Sequence, residues 1–82
     1  MNIVVVDKQI TVPVGRTAIA YGTWTGDVND RLSTSIGTIL EEPVYGKWRW
    51  QMSFSTVGQK EIEVSISNKS ETKTEKLYVN VV

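Results

Sequence analysis

From Gly46 to Phe54 the chain alternates large apolar side chains with polar ones. Trp48, Trp50, Met52 and Phe54 fall on one set of positions, and Lys47, Arg49, Gln51 and Ser53 on the other. A strand sends successive side chains to opposite faces, so this period of two puts both tryptophans on one side. The pattern predicts a core strand of a small β-sandwich, with the indoles of Trp48 and Trp50 buried between two sheets.

The rest of the chain carries the same period in short segments. Ile3 to Val6 reads as a first strand. Asp7-Lys8 interrupts it, and Ile10 and Val12 resume the alternation up to Pro13, as expected of an edge that switches sheets. Val14-Gly15 makes the next turn. Thr17 to Trp24 is a strand with two competing registers. The preferred one turns Ala18, Ala20, Gly22 and Trp24 inward, because small residues leave room for a bulky neighbour such as Trp50. After the Gly26–Asp30 loop, Leu32, Thr34 and Ile36 alternate with Arg31, Ser33 and Ser35, and Thr38 to Leu40 forms a short strand. Ile62, Val64 and Ile66 face inward beyond the corner at Thr56-Val57-Gly58. Asn68 to Glu71 is a hairpin loop, and Leu77, Val79 and Val81 point inward from the last strand. About seven short strands separated by turn signals, with no competing helical period, give an all-β fold. The expected architecture is an immunoglobulin-like two-sheet antiparallel sandwich, one domain across residues 1–82.

Composition narrows the chemistry. There is no cysteine and no histidine, so disulfides, Cys-His pairs and the commonest general base and metal ligand are absent. Nine basic and nine acidic side chains balance, without a basic stripe to suggest nucleic acid. The longest apolar run, Ile3 to Val6, is far short of the ~20 residues of a spanning helix. It also lacks the basic lead-in and cleavage site of a signal peptide. Membrane insertion is therefore not expected. Met1 lies almost on the first strand and Val82 ends the last, which points to an excised domain or a minimal gene product.

Several segments resemble a known family. Val12-Pro13-Val14-Gly15-Arg16-Thr17-Ala18, then Gly22-Thr23-Trp24 before an acidic loop, resembles the opening of bacterial immunoglobulin-like repeats of the cadherin-like and polycystic-kidney-disease-like kind. Ser35-Ile36-Gly37-Thr38-Ile39, Gly46-Lys47-Trp48-Arg49-Trp50 and the alternating pair at Gly58–Val64 and Leu77–Val81 continue the likeness. Such modules recur in secreted adhesins, surface proteins and phage virion proteins, mostly as spacers or display units. The resemblance implies an extracellular, cell-surface or virion location, with neighbouring domains, another protein or a cell-surface glycan as partners. The acidic loop departs from the family's Asp-Pro-Asp-Gly-Asp and reads Gly26-Asp27-Val28-Asn29-Asp30, which weakens the calcium expectation that comes with it.

Three groups of residues are candidates for chemistry. Asp27, Asn29 and Asp30 could supply part of a calcium shell, helped by Glu41 or Glu42, although the simpler reading is a turn that caps its own backbone. Trp24, Tyr21, Tyr45 and Tyr78 could form an aromatic platform for sugar rings, although scattered exposed aromatics are common. Glu61 and Glu63 share a strand face at i, i+2. An open face of like carboxylates, with Lys73, Lys76 or Arg49 across the ladder, suits solvation and not acid–base hydrolysis. No nucleophile elbow or phosphate-binding glycine loop is present. The expected function is a non-catalytic structural, spacer or display module making weak surface or protein contacts. The alternative is a small carbohydrate-binding module.

Overall fold

The computed structural model describes residues 1–82 and contains eight strands and no helix. They are β1 (Asn2–Val5), β2 (Gln9–Val12), β3 (Thr17–Thr25), β4 (Arg31–Thr34), β5 (Thr38–Glu41), β6 (Lys47–Ser53), β7 (Gly58–Ser67) and β8 (Thr72–Val81). Two four-stranded sheets result, in the orders β1-β3-β6-β5 and β2-β8-β7-β4. Mapped onto the lettered strands of an immunoglobulin sandwich, the first is the A-B-E-D sheet. The second is the C-F-G sheet with the split half of the first strand added at its edge.

The count exceeds the sequence expectation because the first segment is two strands belonging to different sheets. β1 pairs antiparallel with β3, and β2 lies beside β8. The chain crosses at Val6–Lys8 without reversing its heading, so β2 runs parallel to β8, from Gln9 opposite Tyr78 to Val12 opposite Val81. The sandwich is thus antiparallel except for this one pair. The apolar alternation after Leu32 also ends sooner than its pattern suggests. β4 stops at Thr34 and Ile36 is exposed, because Ser35–Gly37 carries the chain from the edge of one sheet to the edge of the other.

Packing follows a large-against-small rule. Trp48 and Trp50 are wholly buried, and register places Gly22 opposite Trp48, Ala20 opposite Trp50 and Ala18 opposite Met52. The register with Trp24 inward is the one adopted, and Trp24 is only 7% exposed. A Cβ on Gly22 would sit well inside contact distance of both the Val4 carbonyl oxygen and the Trp48 ring. Ile62, Val64, Ile66, Leu77, Val79 and Val81 complete the core from the facing sheet. The ring nitrogens of the two central tryptophans are satisfied within the chain. Trp48 Nε1 donates to Thr23 O at 3.1 Å and Trp50 Nε1 to Ile36 O at 2.8 Å. Buried donors are expected to find partners, so these bonds fix the ring orientations.

The molecule measures 37 × 24 × 16 Å, with loops gathered at its two ends. One pole holds the start of β1, the Gly26–Asp30 loop, Val44–Gly46 and the Asn68–Glu71 turn; Asn68 Nδ2 donates to Asp30 Oδ1 at 3.0 Å and contacts Met1 Sδ. The other holds the Pro13–Arg16 turn, Phe54–Val57 and the end of β8. There Val14 N donates to Val82 O, and Gly15 N to Phe54 O, both at 2.9 Å. Gly15 has φ 84° in the turn closed by Arg16 N to Pro13 O, the sign a type II turn requires at its third residue.

Candidate functional site

Of the residues singled out from sequence, Trp24, Tyr45, Asp27, Asp30 and Glu41 gather at one pole, whereas Tyr21 and Tyr78 lie apart. Tyr21 projects from the outer face of the β3 sheet, and Tyr78 is half-buried on β8 in the other sheet. Tyr78 OH donates to Glu61 Oε1 at 3.3 Å. Only Trp24 and Tyr45 meet, with ring centroids 4.9 Å apart and planes tilted by 54°. Tyr45 is exposed and its hydroxyl donates to Gly26 O, which pins the ring over the loop. A tilted pair with one buried ring is not the coplanar platform on which a pyranose face stacks.

The pair lines an open hollow of about 330 Å³ at the β1 pole, shared with Asp27, Val28, Asp30, Arg31 and Glu41. Trp24 Nε1 is buried and, unlike the other two indole nitrogens, has no acceptor in the chain. A second hollow, of about 480 Å³ and lined only by polar and charged residues, lies alongside between Asp27, Asn29, Arg31, Asn68, Lys69 and Ser70. The fold therefore does bring Glu41 to the acidic loop. Glu42 instead faces Arg49, with Oε1 3.7 Å from Nε.

Two of the loop's carboxylate oxygens accept from its own backbone, and a third from Asn68. Asp30 Oδ2 accepts from Asp27 N at 2.9 Å, Asp27 Oδ1 accepts from Asn29 N at 2.8 Å, and Asn68 takes the remaining Asp30 oxygen. This is the self-capping turn that Asp and Asn favour. The Asp27 N–H holds the Asp30 carboxyl below its ordinary value of 3.8, burial opposes this, and Asn68 assists. Asp27, Asp30 and Glu41 line the hollow without coming together in a cluster of metal-holding geometry.

Glu61 and Glu63 lie exposed on the outer face of β7. Glu61 is bound by Lys76 Nζ at 3.1 Å, and that hydrogen bond raises the lysine's pKa above 10.5, with Coulombic attraction from the same carboxylate adding to it.

Sequence reasoning missed Asn68, which buttresses Asp30 across 38 positions, and the apolar wall that Val28 gives the hollow. No periodic signal links such distant loop residues.

These observations define a small β-sandwich with an immunoglobulin-like order of strands. No family model matches the chain, and no curated protein does. Among solved structures, it is similar to the S-layer protein SbsC, in a structure of that protein's domains 4 and 5. The TM-score is 0.63 at 20% identity, over 100% of this chain and 45% of the other. The chain thus spans less than half the length of that two-domain structure. At this identity the likeness shows the fold. It agrees with the two-sheet architecture that the immunoglobulin-like resemblance implies.

Proposed function

We propose that this chain is a non-catalytic structural module, a spacer or display unit of an exported bacterial surface protein or of a phage virion. The observation that carries the reading is the placement of its two ends. β1 begins at one pole and β8 finishes at the other, so the backbone traverses the 37 Å axis and neighbouring modules would follow one another in line. The fold-level likeness to part of a two-domain S-layer structure supports the same reading. The cadherin-like or polycystic-kidney-disease-like subtype belongs to this proposal, as do a cell-surface or virion location and contacts with protein or glycan.

The competing reading is carbohydrate binding at Trp24 and Tyr45. Tryptophan fluorescence during titration with bacterial cell-wall glycans and simple sugars separates the two. A structural module gives no saturable change. A saturable change that disappears in Tyr45→Ala would overturn the proposal.

A further inference from the structure

We infer that the two poles are complementary and that copies of this chain associate head to tail, the Val57 end of one seated on the Trp24–Tyr45 hollow of the next. The inference rests on the structural-module reading and gives it a partner, a second copy of the chain.

Each pole carries exposed apolar side chains that the fold does not use. Val14, Val57 and Val82 project together at one end, tied by the Val14–Val82 bond and by the pairing of Gly58 with Val81. At the other, Val28 is 86% exposed and lines the hollow with Tyr45, with exposed Val44 next along the chain. One end is thus a projection and the other a recess.

Charge matches the same pairing. Asp27, Asp30 and Glu41 line the recess against a single cation, Arg31. The segments that build the projection, residues 12–17 and 53–60, contain Arg16 and Lys60 and no acidic side chain. Lys60 is half-buried, reaching Thr56 Oγ1 at 2.8 Å, which keeps its ammonium at this pole.

Two unlike poles form a heterologous contact, which propagates as an open row and does not close as a dimer. Its size sets its strength. An end face of 24 × 16 Å offers roughly 400 Å² per copy, about half the ~800 Å² of a standard interface. A contact of that size belongs to the weak, transient class, and copies joined in one chain would meet it at the roughly millimolar effective concentration of a short tether.

The test is a series of amide correlation spectra of the chain from micromolar to millimolar concentration. Concentration-dependent shifts are expected at residues 13–16 and 55–58 together with 26–31 and 44–46, with the sheet faces unmoved. Val57→Asp and Val28→Asp change exposed positions on opposite poles, and each alone should weaken association at least tenfold. Mixed in equal amounts, each variant keeps one intact pole. Shifts should then return only at the projection of Val28→Asp and the recess of Val57→Asp. Shifts absent from either pole, shifts confined to edge strands, or a mixture that restores nothing would each overturn head-to-tail association. Those outcomes leave the structural-module reading standing, whereas saturable glycan binding would remove that reading instead.

Discussion

Replacing Gly22 by alanine tests how the core is assembled, because two physical effects push in opposite directions. The unfolded chain loses freedom when glycine becomes alanine, which by itself stabilises a compatible site by about 0.4–1 kcal/mol. Against this, the new methyl would collide with the Val4 carbonyl oxygen and with the ring of Trp48. Neither yields readily. The carbonyl belongs to the β1–β3 ladder, and the indole is wholly buried and tied to Thr23 O. Overpacking costs about 1–3 kcal/mol, and two firm obstacles place this site near the upper end. The net loss is about 2 kcal/mol, a considerable part of the roughly 4–12 kcal/mol available to a domain this size. Thermal melts followed by circular dichroism should show Tm falling by about 8–16 °C. Trp48→Phe in the Gly22→Ala background removes part of the colliding ring, so the pair should be less destabilised than the sum of its members. A Tm for Gly22→Ala equal to or above that of the parent, or strict additivity of the two substitutions, would refute the packing argument.

Other outcomes follow from single contacts. Trp50→Phe removes the donor to Ile36 O and should cost about 1–3 kcal/mol beyond its lost ring area, whereas Trp24→Phe removes an N–H that has no acceptor in the chain. Urea midpoints should therefore fall further for the first than for the second. Because the Asp30 carboxyl is held below 3.8, chiefly by Asp27 N–H, its charge contributes stability that is present above about pH 4 and lost as pH falls through the folded value. Tm measured from neutral pH downward should drop below pH 4, with a shallower drop in Asp30→Asn. Adding calcium or a chelator should leave Tm unchanged, since both Asp30 oxygens and one Asp27 oxygen already accept backbone and Asn68 hydrogens. Glu61→Gln should leave Tm within the scatter of repeat melts, because its bond to Lys76 is open to solvent and screened.

The architecture was legible where side chains alternate against a buried face. Trp48 and Trp50, Ile62 to Ile66 and Leu77 to Val81 each reveal a strand and its inward side, and Ala18, Ala20 and Gly22 reveal which register admits the indoles. The break at Asp7-Lys8 revealed a change of sheet. It did not reveal that β2 would lie parallel to β8, since pairing partners more than sixty positions apart leave no periodic trace. Ile36 misled because a crossing segment can be apolar without entering either sheet. At the β1 pole, Asp27 to Asp30 announced a turn, and the hydrogen bonds agree. What surrounds that turn depends on where Tyr45, Glu41 and Asn68 arrive in space, and only the folded chain brings them there.

The parallel pairing of β2 with β8 has a mechanical consequence. Strands near the start and end of the chain lie side by side along the long axis, bonded from Gln9–Tyr78 to Val12–Val81. Tension drawn through the two ends would act along those strands, so their hydrogen bonds are strained in shear and must rupture together instead of peeling one at a time. A module wired this way resists stretching most strongly in the direction in which a row of such modules would be pulled.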